Sequence, residues 1–128
     1  MIALQSSMFS TLAGFAGLSA LVGARIYPEI APQDAARPYV TWAEISFVGT
    51  PAIDVGTRET SGLNNYRIQV SSWAVKAGTV RDVDAQVRLA MQAATLFKSL
   101  IVDARSLDYE PDTKLFGFAT DFSVWLKT

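Results

Sequence analysis

Residues 66–74 read YRIQVSSWA and residues 80–101 read VRDVDAQVRLAMQAATLFKSLI, and these two stretches decide the fold class. In the first stretch Tyr66, Ile68 and Val70 alternate with polar side chains, which is the period-two pattern of a half-buried strand. In the second, apolar side chains recur every three or four residues over about five helical turns. A strand followed at once by an amphipathic helix predicts helices packed on a sheet.

The predicted helix has a definite start and a definite buried stripe. Thr79 is the expected N-cap, and Asp82 and Asp84 are expected to face the positive end of the helix dipole. Arg81, Arg88 and Lys98 lie off the stripe and are expected to face water. The stripe consists of Val80, Val83, Val87, Ala90, Met91, Ala94, Phe97 and Ile101.

Strands are predicted on both sides of this helix. A short strand at residues 25–27 is cut off by Pro28, and a long strand rich in β-branched and aromatic residues covers residues 39–48. Two further strands, at residues 100–107 and 115–126, are joined by a turn that contains Pro111. The predicted core face of the last strand carries Phe116, Phe118, Thr120, Phe122, Val124 and Leu126.

The first 24 residues carry no charged side chain. Leu4, Met8, Leu12 and Phe15 form one helical stripe with polar residues opposite, which favours a packed helix over a secretory signal. The element order is therefore α-β-β-β-α-β-β. We expect a single α+β domain over residues 1–128, with a mainly antiparallel sheet of about four to five strands and two helices packed on it.

Residues 49–65 contain three glycines and one proline and show no clean period. A loop of this length in a compact domain is usually functional or mobile. The alternative is a hairpin arm whose strands extend their neighbours, because Ile53 and Val55 alternate weakly. Both interpretations predict a projecting segment.

The composition excludes several chemistries. The chain has no histidine and no cysteine, which rules out Ser-His-Asp and Cys-His catalysis, Cys/His zinc sites and disulfides. A net charge of −1 offers no general attraction to nucleic acid. Asp108, Glu110 and Asp112 alternate, but they lack the glycine and distant glutamate of a calcium loop, so a polar turn is favoured over a metal site. No cofactor is expected.

Three stretches carry a family resemblance. The first is ALVGARIYP at residues 20–28, with APQ at residues 31–33 and RPYVT at residues 37–41. The second is YRIQV at residues 66–70 with Trp73 and Ala74, and the third is DFSVW at residues 121–125. In this order the chain resembles the tail-completion or tail-terminator (tail-to-head joining) proteins of long-tailed bacteriophages and prophages. Ser71 and Ser72 stand where many members have an acidic residue and a cysteine, and a strand tolerates that change.

The resemblance implies a structural virion protein and no enzyme. Such subunits form a ring, typically a hexamer, at the head-proximal end of the tail tube, where the ring stops tube polymerisation and contacts the tail tube protein and the head-tail connector proteins. DNA passes through the lumen without specific binding, no membrane is involved, and assembly occurs in the bacterial cytoplasm. Two alternatives stay open: a connector adaptor in the same joint, and a small enzyme or ligand-binding domain that uses the carboxylates at residues 108–112.

The resemblance also suggests a role for the segment at residues 49–65. In a cyclic ring each contact joins two different faces, and an extended arm is a plausible donor. The expected assembly-interface residues are Ile53, Asp54, Val55, Arg58, Glu59, Asn64 and Asn65.

Overall fold

A five-stranded sheet covered by helices on one face forms the protein. The computed structural model describes residues 2–51 and 60–127. In chain order the elements are α1 (Ile2–Ala13), α2 (Ala16–Val22), β1 (Ile26–Pro28), β2 (Tyr39–Pro51), β3 (Thr60–Ala74), α3 (Ala77–Gln92), β4 (Lys98–Glu110) and β5 (Leu115–Lys127).

The strand order in the sheet is β1-β2-β3-β5-β4. β1 runs parallel to β2, and the other three pairs are antiparallel. Trp42 lies opposite Val70, and Ile68 and Ile101 lie opposite Phe122 from its two sides. The α+β class and the mainly antiparallel sheet are therefore confirmed.

The N-terminal region forms two helices where one was predicted, so the described residues contain three helices. α1 ends at Ala13, and Phe15 adopts an extended conformation with φ −86° and ψ 114°. The carbonyl of Phe15 then accepts hydrogen bonds from the N–H groups of Leu18 and Ser19, which begins α2. No described helix has both the length and the apolar character needed to cross a membrane.

The core lies between the three helices and one face of the sheet. The predicted core face of β3 is confirmed, since Tyr66, Ile68, Val70, Ser72 and Ala74 are all buried. On the predicted core face of β5, the alternate residues from Phe118 to Leu126 are also buried. Phe116 is 37% exposed, which contradicts its assignment to the core. Phe116 pairs with Ala74, the last residue of β3, and contacts the ring of Tyr109 with centroids 4.7 Å apart.

Both predicted ends of α3 are wrong. Its N-cap is Lys76 instead of Thr79, and it ends at Gln92, so Phe97 and Ile101 lie beyond it. The helical spacing of these two residues is overridden because residues from Lys98 onward pair with β5. Asp82 and Asp84 lie beyond the first turn of α3, which contains no acidic residue, so their predicted place at the positive end of the helix dipole is also wrong, and Asp84 is buried.

The predicted orientations of the basic residues hold in part. Arg81 and Lys98 are exposed as predicted. Arg88 is half-buried, because its Nε donates a 2.8 Å hydrogen bond to Asp84 Oδ2. The guanidinium carbons of Arg81 and Arg88 both lie over the ring of Phe118, 4.5 and 5.7 Å from its centroid. Both arginines therefore cover the ring of Phe118 with their guanidinium groups while remaining partly or largely exposed to water.

Candidate assembly surfaces

The segment at residues 49–65 is a β-hairpin over the part that the structure describes. Gly49 pairs with Asn64, and Pro51 pairs with Thr60 across a register shift, so both strands continue as the hairpin interpretation predicted. Ile53, Asp54, Val55, Arg58 and Glu59 lie outside the described residues.

The two remaining interface candidates lie on β3. Asn64 is buried, and the Asn65 side chain donates hydrogen bonds to Ser123 Oγ at 2.8 Å and to the Val124 carbonyl at 3.3 Å. The Asn65 amide thus fastens the base of the hairpin to β5. Their role in assembly stays a prediction.

One edge of the sheet is the long strand β4. It pairs with β5 on one side, and no described strand pairs with its other side. Leu100, Ile101 and Val102 are 68%, 43% and 48% exposed, and a bulge falls between Ile101 and Asp103. An edge strand presents a row of unpaired backbone donors and acceptors. β4 is therefore a surface suited to pairing with another strand.

The opposite edge of the sheet is free over part of β2. β1 pairs with β2 only at Val40, Thr41 and Trp42, and the Glu29 N–H donates to the Trp42 carbonyl. Among the described strands, none pairs with that side of β2 from Ala43 to Pro51.

This free part of β2 is also apolar. Its exposed residues Ile45, Phe47 and Val48 are 51%, 51% and 60% exposed. A bulge between Glu44 and Ser46 breaks the strand alternation here. Before the bulge, Val40 and Trp42 are buried in the core, whereas the apolar residues after Glu44 are exposed.

The helix-free face of the sheet carries a balanced group of charges. Arg67 Nη2 lies 2.9 Å from Asp121 Oδ2, and Arg105 Nη1 lies 3.5 Å from Asp121 Oδ1 and 3.2 Å from Asp103 Oδ2. Asp121 is buried, whereas both arginines and Asp103 are between 41% and 54% exposed. Two positive and two negative groups neutralise one another on this face, so it offers no concentrated charge.

A cavity of about 430 Å³ opens at one end of the same face, lined in part by Arg37, Tyr39, Trp73 and Glu110. Burial raises the pKa of Tyr39 above its ordinary value, Arg37 opposes this rise and Glu110 adds to it. Of the three acidic residues of the predicted turn, Asp108, Glu110 and Asp112, only Glu110 lines this cavity. The described residues hold no group of three or more acidic side chains placed to bind a metal ion.

These features define a small α+β subunit. Its sheet has a free apolar stretch on each of its two opposite edges, and its helix-free face carries balanced charges. That is the class of a structural assembly subunit. The sequence model of the family described as Tail completion protein gp17 matches residues 6–127. The chain belongs to this family.

One solved structure of similar fold is a chain from the "Virion of native gene transfer agent (GTA) particle". It superposes with a TM-score of 0.67 at 19% sequence identity, and the match covers 98% of the present chain and 95% of that chain. At this identity the likeness establishes the fold. No curated protein matches the sequence significantly.

The free sheet edges were not predicted from the sequence. The run Leu100-Ile101-Val102 was assigned to a strand, but its exposure depends on which strand lies at the edge, and strand order is a tertiary property. The only signal present was the run of three consecutive apolar residues, which does not alternate as a strand with one solvent face does.

Proposed function

We propose that this protein is a structural subunit of a phage or phage-like virion that forms a ring, six-fold in symmetry, at the head-proximal end of the tail tube. The ring terminates polymerisation of the tube and joins the tail to the head connector. It has no catalytic activity and assembles in the cytoplasm of the bacterial host. Family membership over residues 6–127 is the observation that carries the proposal.

The geometry is compatible with a ring. A cyclic assembly of identical subunits uses heterologous contacts, in which one face of each subunit meets a different face of the next. β4 and the free part of β2 are two different, apolar surfaces on one subunit. The similar structure comes from a virion particle, which supports a place in a particle for this chain as well.

The charge distribution supports passage of DNA without capture. The chain has a net charge of −1, and the arginines of the open face are paired with carboxylates. DNA affinity grows with the number of phosphates that free cations neutralise. A lumen lined by paired charges would therefore let the genome slide through.

Native mass spectrometry over a range of protein concentrations tests the ring. A species of six times the chain mass, at rising concentration or after addition of purified tail tubes, is the expected result. A monomer under both conditions would contradict the ring.

The termination role needs a separate test in cells that assemble tails. Without this protein, tails should be abnormally long and should fail to join heads, and the intact protein should restore both properties. Tails of normal length that join heads without it would contradict the role.

Deleting residues 51–61 tests the proposed docking arm. Pro51, Thr60 and Ser61 are the described residues of this deletion, and the other eight lie outside the described part of the chain. The variant should remain folded, because the buried core lies elsewhere, and should fail to assemble on tails. A folded variant that gives normal tails competent to join heads would contradict the arm assignment.

A further inference from the structure

We propose that neighbouring subunits join edge to edge, with β4 of one copy pairing antiparallel to the free edge of β2 in the next copy. A single sheet then continues from subunit to subunit around the ring. This inference rests on the proposed ring and adds the two surfaces that close it.

The strand directions permit this contact. β2, β3, β5 and β4 are neighbours in that order and each pair is antiparallel, so β2 and β4 run in opposite directions. Rotation about an axis along the strands keeps every strand's direction. β4 of one copy therefore meets β2 of the next in antiparallel orientation, the same arrangement that joins β2, β3, β5 and β4 within the subunit.

The side chains on the two edges also match in register. Ile101 lies opposite Phe122 and Phe47 opposite Tyr66, which places both exposed residues on the helix-covered face. Leu100 and Val48 lie on the other face. Because numbering runs in opposite senses along antiparallel strands, aligning Ile101 with Phe47 also aligns Leu100 with Val48. One register thus covers exposed apolar side chains on both faces at once.

The bulges of the two edges fall within one residue of each other in this register. Val102 lies at the bulge of β4 and Ile45 at the bulge of β2, each just past the aligned pairs. A bulge bends its strand and increases its twist. Two strands that bend at nearly the same level can stay in contact over the free part of β2, up to Ala43 where β1 begins to occupy the edge, whereas a bulge opposite a straight strand interrupts the ladder.

The contact is tested with cysteines, since the chain has none of its own. Directly opposed residues in an antiparallel pair have Cα atoms roughly 4.5–5.5 Å apart, within the range that a disulfide spans. The variant Val48→Cys with Leu100→Cys changes two exposed positions and should fold normally. Mild oxidation of the assembled variant should link every copy to the next, giving a ladder on a denaturing gel that ends at the closed ring.

The single variants are the matched controls. Val48→Cys and Leu100→Cys alone should remain uncrosslinked in the assembly. Efficient dimers of Leu100→Cys alone would show β4 pairing with β4 about a two-fold axis and would overturn the inference.

The outcomes separate this contact from the proposed function. A six-fold species of the double variant without crosslinks overturns the edge contact and leaves the ring intact. A crosslinked ladder that grows beyond any closed size supports the edge contact and overturns the ring. A monomer without crosslinks, with and without tail tubes, overturns both.

A charge placed on the edge gives a second measurement. Leu100→Lys should reduce the assembled fraction at a given concentration at least tenfold. Val75→Lys changes another exposed apolar residue, 56% exposed and off both edges, and should leave assembly unchanged. Equal assembly of the two variants would overturn the contact.

Discussion

The Thr120 hydroxyl on β5 donates a 2.7 Å hydrogen bond to Asp84 Oδ1 on α3, and both residues are buried. The second oxygen of the carboxylate accepts from Arg88 Nε at 2.8 Å. A buried carboxylate must be hydrogen-bonded to be tolerated, and here its partners come from both the sheet and the helix. This pairing fixes the position of α3 on the sheet.

Removing the carboxylate should destabilise the fold. Asp84→Ala leaves the buried Thr120 hydroxyl without its partner and should lower the free energy of unfolding by about 2 kcal/mol. Asp82→Ala, on the same helix but exposed, is the matched control and should change it by less than about 0.5 kcal/mol. Urea unfolding measures both, and equal effects would show that Asp84 contributes no more than a surface residue.

The burial of two phenylalanines on one strand gives a second prediction. Phe122 is 1% exposed and Phe116 is 37% exposed. Phe122→Ala should cost about 3–5 kcal/mol because it leaves a cavity in the core. Phe116→Ala should cost about 1 kcal/mol, the scale of its ring contact with Tyr109. A larger loss for Phe116 than for Phe122 in denaturant unfolding would contradict the assignment of the core.

Gly117 is a position where a methyl group does not fit. A Cβ there would lie 2.7 Å from Trp73 Cζ3 and 3.1 Å from Leu107 Cδ1. The Trp73 ring is held by a 3.1 Å hydrogen bond from its Nε1 to Thr41 Oγ1, so it cannot move aside freely. Gly117→Ala should therefore destabilise the protein by about 1–3 kcal/mol.

The matched control for this substitution is Gly78→Ala. Gly78 lies in the first turn of α3, and a Cβ there meets nothing within 4 Å. Alanine should raise stability by about 0.5–1 kcal/mol, because it favours the helix more than glycine does. Thermal unfolding should shift in opposite directions for the two variants, and a shift in the same direction would contradict the contact made at Gly117.

The raised pKa of Tyr39 predicts alkaline sensitivity. Burial, reinforced by Glu110 against the opposing effect of Arg37, makes the folded protein keep a phenol proton that the unfolded chain releases near pH 10.0. The stability associated with this proton is present below that pH and is lost as pH rises through the folded-state pKa. Tyr39→Phe should therefore lose less stability than the parent between about pH 9 and about pH 11. Equally steep losses in denaturant unfolding would contradict this.

Local periodicity predicted most of the fold because it reports burial directly. The alternation from Tyr66 to Ala74 and the stripe from Val80 to Met91 both reflect faces that meet one core. Phe97 and Ile101 continue the helical spacing but lie before and within β4, because residues from Lys98 onward pair with β5. The spacing of these residues does not show whether they extend the helix or pair with another strand.

The candidate surfaces were less predictable than the fold. The hairpin was one of two interpretations of residues 49–65, and pairing of Gly49 with Asn64 decides for it over the described part. The exposed edge of Leu100, Ile101 and Val102 depends on the crossover that places β5 between β3 and β4. The burial of Asp84 was not predicted, because sequence spacing does not show that Thr120 lies opposite it.

The strand order has a consequence for how the chain folds. β2 with β3 and β4 with β5 are each hairpins of neighbouring segments, whereas β3 with β5 joins segments separated by α3 and β4. Closing that long connection costs more chain entropy than closing either hairpin. The two hairpins therefore form separate units that contact each other through the pairing of β3 with β5. α3 is hydrogen-bonded to β5 through Asp84 and packs on both units. Slow docking of the two units, more than formation of any single strand, would set the folding rate of the subunit.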